Sequence, residues 1–100
     1  MYIAMNRFKI KLGCEQDFID VWRNRDSQLG SVAGFVSFNL LQGASNAEFT
    51  LISSHATWKS KQAFKAWTQS EAFKKAHVGA GNSRDMHAGR PQLECFEVVI

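Results

Sequence analysis

The hydrophobic patterning of this 100-residue chain predicts an α+β fold of element order βαββααβ, with helices on one face of a mostly antiparallel sheet. Three observations carry that prediction. Alternating or β-branched stretches occur four times, helical spacing occurs three times, and a short turn joins the second strand to the third.

The first strand is YIAMNRFKIKL, Tyr2 to Leu12. Successive strand side chains point to opposite faces, so Tyr2, Ala4, Phe8, Ile10 and Leu12 form an apolar face while Arg7, Lys9 and Lys11 meet water. Asn6 falls in the middle of the apolar face. A buried amide without a partner costs roughly 1–3 kcal/mol, so something inside the fold is expected to hydrogen-bond to it.

Gly13 breaks the strand, and CEQDFIDVWRNRDSQLG follows with Phe18, Val21, Trp22, Arg25 and Leu29 at helical spacing. Glu15 and Asp17 complement the positive end of that helix, and Gly30 and Gly34 mark its exit. Phe35 to Gln42 alternates again, with Val36, Phe38 and Leu40 on one face. GASNAE is turn chemistry, and Phe49 to Trp58 completes a hairpin. Ser60 caps a short helix through Phe64 and Trp67, and Ser70 caps another whose face holds Phe73, Ala76 and His77. Gly79 and Gly81 end it. From Val78 to Gln92 no period is visible, which predicts a functional or mobile loop, and LECFEVVI is the last strand. Nothing along residues 1–100 suggests a second domain.

Composition narrows the function classes. A 45% hydrophobic, 12% aromatic chain is too apolar for a disordered segment, and so small a core invites a dimer or a bound apolar ligand. The net charge of +3 is spread among anions, so a nucleic-acid footprint is not expected. Cys14 and Cys95 stand far apart, with neither CxxC nor a close His pair, which argues against a metal finger and for a reduced, cytoplasmic protein. No apolar run is long enough for a membrane span and no leader pattern opens the chain.

Three residues expected on buried faces stand out: Asn6, Trp67 and His77. Together with MNRFKIKLG, GFVSFNLLQG, AFKAWTQSEAFKKAH and the terminal FEVV, they make nearly the whole chain resemble the antibiotic biosynthesis monooxygenase superfamily. Within it the chain looks like the haem-degrading monooxygenases, relatives of the staphylococcal iron-regulated surface determinant enzymes and of their mycobacterial and rhizobial counterparts. Trp58, Phe64 and Trp67 would fit many ferredoxin-like members, and the combination of Asn6, Trp67 and His77 is what narrows the resemblance.

The resemblance implies a homodimer in which two ferredoxin-like units close an α+β barrel, each protomer holding its own haem. It implies His77 as the axial ligand to haem iron, Asn6 as a hydrogen-bond donor to oxygen on the opposite face, and Trp67 as a wedge that forces the macrocycle out of plane. Each has a plainer reading: a helix-terminal His, a core amide and a core Trp. Trp22 and Arg25 share the stripe of the first helix, where an Arg either snorkels to water or pairs with an anion such as a haem propionate. His55, whose neighbours Ser53 and Thr57 suggest a polar strand face, and His87, in the loop, are not expected to be ligands, and Cys14, Cys95 and the lysines at 59, 61, 65, 74 and 75 read as structural or solvating.

The implied reaction opens the haem macrocycle with O2 to a linear tetrapyrrole and releases iron, haem being both cofactor and substrate. No dinucleotide fingerprint is present, so electrons would come from a separate reductase or small reductant. Two other readings stay open: a cofactor-independent monooxygenase acting on a quinol or other aromatic substrate, and a haem carrier or sensor.

Overall fold

The computed structural model describes residues 1–25, 29–76 and 84–100. Its strands are β1 (Tyr2–Lys11), β2 (Phe35–Ser45), β3 (Phe49–Trp58) and β4 (Gln92–Glu97), and its helices are α1 (Glu15–Arg23), α2 (Lys61–Thr68) and α3 (Glu71–Ala76). All pairings are antiparallel, in the order β2-β3-β1-β4. This is the expected α+β, ferredoxin-like arrangement. No helix among the described residues is long and apolar enough to cross a membrane.

Alternation places Tyr2, Ala4, Asn6, Phe8 and Ile10 of β1 beside Trp58, Ala56, Ser54, Ile52 and Thr50 of β3. The helices cover this face and build two apolar clusters on it. One joins buried Phe8, Ile10, Phe18 and Ile52; the other joins Tyr2, Ala4 and Trp58 to Phe64, Trp67 and Leu29. The opposite face carries Arg7, whose Nε pairs with Glu94 Oε1 at 3.0 Å.

Local chemistry explains the element ends. Gly13 turns the chain at φ +91°, so Leu12 lies beyond β1 and is exposed, against its expected place on the apolar face. Glu15 binds that turn: its Oε1 accepts from the Gly13 amide at 2.8 Å, and its Oε2 accepts from the buried Thr50 hydroxyl at 2.7 Å. Asn46 closes the hairpin by accepting from the amides of Glu48 and Phe49. Ser60 Oγ accepts from the Ala63 amide at 3.1 Å, the expected N-cap. Gly34, at φ +82°, lies where a side chain would collide with Ala63 of α2.

Several expectations need correction. α1 stops at Arg23, so Arg25 follows the helix instead of extending its stripe, and Leu29 opens a separate short turn, Leu29–Ser31. A register shift between Phe35 and Ser37 moves Val36 off the expected face, leaving it exposed. The stretch expected to be a loop from Val78 to Gln92 is anchored where it is described: His87 bridges to Ile10, and the Ala88 amide donates to the Lys9 carbonyl at 2.7 Å. β4 ends at Glu97, short of the expected Ile100.

Candidate active site

Between the two apolar clusters the covered face changes character. Ala4, Asn6, Ser54 and Ala56, four small or medium side chains, lie in adjacent register positions of β1 and β3 and form the floor of a cleft of about 200 Å³. Phe38 from β2 and Leu93 from β4 extend that floor. Asn6 faces the cleft, as its strand position requires, and its Oδ1 is buried with no hydrogen-bond partner among the described residues. The amide anticipated to find a partner inside the fold has its oxygen unmatched. Since an amide can rotate to present either its oxygen or its NH2, the cleft offers a polar contact that a ligand can take in either sense.

One wall comes from the end of α1. Trp22, on its last turn, stacks on Phe38 with ring centroids 5.6 Å apart at 19°. Arg25 leaves the helix with its amide donating to the Trp22 carbonyl at 3.2 Å, which returns the guanidinium over the indole, 4.0 Å from the ring centroid. Burial lowers the Arg25 pKa from its ordinary value, and the charge persists because guanidinium is so basic. No ion pair to Arg25 occurs among the described residues.

The facing wall comes from α2 and α3. Trp67 packs 5.4 Å from Trp58, which is wholly buried, and meets Phe73 edge to face at 4.8 Å. Ser70 fixes that corner twice over: its hydroxyl donates to the Trp67 carbonyl at 2.6 Å and accepts from the Phe73 amide at 3.1 Å. Capping of α3 and placement of the two rings are therefore one local event.

Of the five residues singled out in the sequence, Asn6, Trp67, Trp22 and Arg25 line one cleft. His77 lies outside the described residues, as do the expected Gly79 and Gly81, and the expected face of the last helix is described at Phe73. His55, set aside above, is on the opposite face of β3, and His87 packs edge-on against Phe8 and Phe18, away from the cleft. Phe38, Ser54 and Phe73 were missed. The direct pairing of Asn6 with Ser54 depends on β1–β3 register, which the sequence does not print, whereas Phe38 was visible as an inward-facing aromatic.

An apolar cleft on a ferredoxin-like sheet, with one amide on its floor and tryptophans in both walls, defines a class, and the sequence agrees with it. The chain belongs to the antibiotic biosynthesis monooxygenase family, whose pattern matches residues 1–79. More particularly, it is 31% identical over 85 residues to a "Heme-degrading monooxygenase" of Bacillus thuringiensis (strain Al Hakam), covering 85% of this chain and 78% of that one. Among solved structures it is similar to the heme degrader MhuD of Mycobacterium tuberculosis with two hemes bound in its active site, at 25% identity and a TM-score of 0.76, covering 100% of this chain and 97% of that one. It also shares its fold with SnoaB, a cofactor-independent oxygenase from Streptomyces nogalater, at 19% identity and a TM-score of 0.71 over 99% of this chain and 93% of that one.

Proposed function

We propose that this protein is a haem-degrading monooxygenase that takes haem as cofactor and substrate, opens its macrocycle with O2, and releases iron and a linear tetrapyrrole. The observation that carries this reading is the unpartnered Asn6 amide oxygen on the floor of an aromatic-walled cleft. A satisfied core would have matched that atom, and a ligand with polar chemistry at the centre of an apolar plane would use it.

The donor set fits such a ligand. Trp67 and Trp22 give planar apolar contact on facing walls, and Arg25 supplies a cation without a carboxylate partner among the described residues, suited to a haem propionate. Bound haem would supply the iron at which dioxygen is reduced, and His77 would be the residue that holds that iron. Asn6 would offer its amide from the cleft floor as a hydrogen-bonding group that orients the reacting partner. Trp67, locked by Phe73 and the Ser70 corner, would bear on the bound ligand as a fixed wall. The apolar walls would exclude bulk water from the reacting centre. Electrons would come from a separate reductase or small reductant, and the working unit would be a homodimer in the cytoplasm.

A cofactor-independent monooxygenase is the second reading, favoured by the small volume of the cleft, about 200 Å³, which suits a compact aromatic substrate. One experiment separates the readings: an absorbance time course with one equivalent of haemin, then ascorbate or a reductase in air with an iron chelator. A Soret band that forms and then decays while chelated iron rises is the expected result. A stable Soret band would indicate a carrier or sensor, and no Soret band would refute the haem reading. With the wild type active, Asn6→Ala is expected to bind haem and lose turnover.

A further inference from the structure

A second cavity, about 270 Å³, lies between α1 and the sheet, and Trp22 and Phe38 line it as well as the cleft. The stacked pair is thus a wall shared by two spaces. Each is smaller than the ~300–1,000 Å³ of typical ligand clefts, while the two together fall within that range. We propose that the Trp22–Phe38 pair is a movable partition, and that the space behind it is an extension of the cleft that takes the outer edge of a large planar ligand. This rests on the haem reading, for which it supplies the missing room.

The partition is held by non-directional packing, Trp22 meeting Phe8 at 5.8 Å and Phe18 at 6.3 Å with Arg25 over its face. Trp22 Nε1 is buried with no acceptor among the described residues, so no hydrogen bond fixes the indole in place. The ring sits on the last turn of α1, where helices fray, and Phe38 follows directly on the register shift at Phe35 and Ser37, a strand irregularity of the kind that re-aims side chains. Behind the pair the lining suits a hydrocarbon edge: Ile19, Leu40 and Ile52 are apolar, while exposed Arg23 and Gln42 put the polar side toward solvent.

The test fills the second cavity without touching the first. Haemin, metal-free protoporphyrin IX and 1-naphthol are titrated into the wild type, Ile19→Phe and Ile19→Ala, with Gln42→Trp filling the same space from the sheet side. Filling is expected to weaken both porphyrins about tenfold or more, the scale of misfit in an apolar pocket, and to leave 1-naphthol and the melting temperature unchanged. Ile19→Ala is expected to bind porphyrins at least as tightly as the wild type. Wild-type porphyrin affinity in both filled variants would overturn the proposal and leave the haem reading standing, and an equal loss for 1-naphthol would overturn it as general damage. A wild type that binds no porphyrin would refute both, whereas one that binds haemin and never degrades it would refute only the degradation.

Discussion

Two neighbouring stretches of the same sheet face behave in opposite ways. At Phe8, Ile10 and Ile52 the face is closed, with Phe18 set edge-on to Phe8 at 5.2 Å; at Asn6 and Ser54, the adjoining positions in the same two strands, it is open. Backbone and register are shared. The difference is side-chain bulk: Ala4, Asn6, Ser54 and Ala56 leave volume that the large residues beside them would fill. The cleft therefore arises from what four positions omit, while the aromatic walls do the contacting.

That contrast is broken most severely in the closed half. Ile52→Ala, at a wholly buried position, is expected to lower the unfolding free energy by about 2–5 kcal/mol, read from the urea midpoint. The open half is expected to respond with the opposite sign. Asn6→Leu replaces an amide whose buried oxygen is unmatched by an apolar group of similar size, so stability is expected to stay level or rise by about 1 kcal/mol while haem turnover is lost. Destabilisation of Asn6→Leu as large as that of Ile52→Ala would mean that the seam is ordinary core.

Smaller effects follow from titrating groups at the edge of the closed half. The Thr50 hydroxyl and the Gly13 amide hold the Glu15 carboxyl below its ordinary value of 4.5, the Thr50 bond being the larger cause. A carboxylate stabilised in the folded state contributes above that ordinary value, and the contribution is lost as pH falls through it toward the lower folded-state value. Thr50→Val is expected to flatten the acid limb of stability against pH. Burial among Phe8 and Phe18 lowers the His87 pKa from 6.5, so the folded state favours the neutral ring. The unfolded chain then binds more protons just below 6.5, and stability falls as pH drops through that window. His87→Phe is expected to remove this shallow slope, and a slope that persists would assign it to another group.

The strand alternation, the hairpin at Asn46 and the caps Ser60 and Ser70 were legible because each is a local rule with a local cause. Asn6 was legible as an anomaly, a polar residue at an apolar position in the strand period. The small-residue floor was not, since it exists only once Asn6 stands opposite Ser54, and register is a long-range property. Arg25 reached the cleft by a route other than the one its spacing suggested: the helix ends two residues earlier, and the cation returns by folding over Trp22. Val36 misled because the irregularity between Phe35 and Ser37 takes it off the face that Phe38 and Leu40 keep.

Gly34 touches no part of the cleft, yet it acts as a spacer for it. Its carbonyl accepts from the Lys59 amide at 2.8 Å, which pins it to the end of β3, and its bare Cα lets Ala63 of α2 come close. The separation between α2 and the sheet is thereby metered by a missing methyl group. Since Trp67 rides on α2, any side chain at position 34 would lever that wall outward, and the width available to a guest could change by a substitution remote from every contact the guest makes.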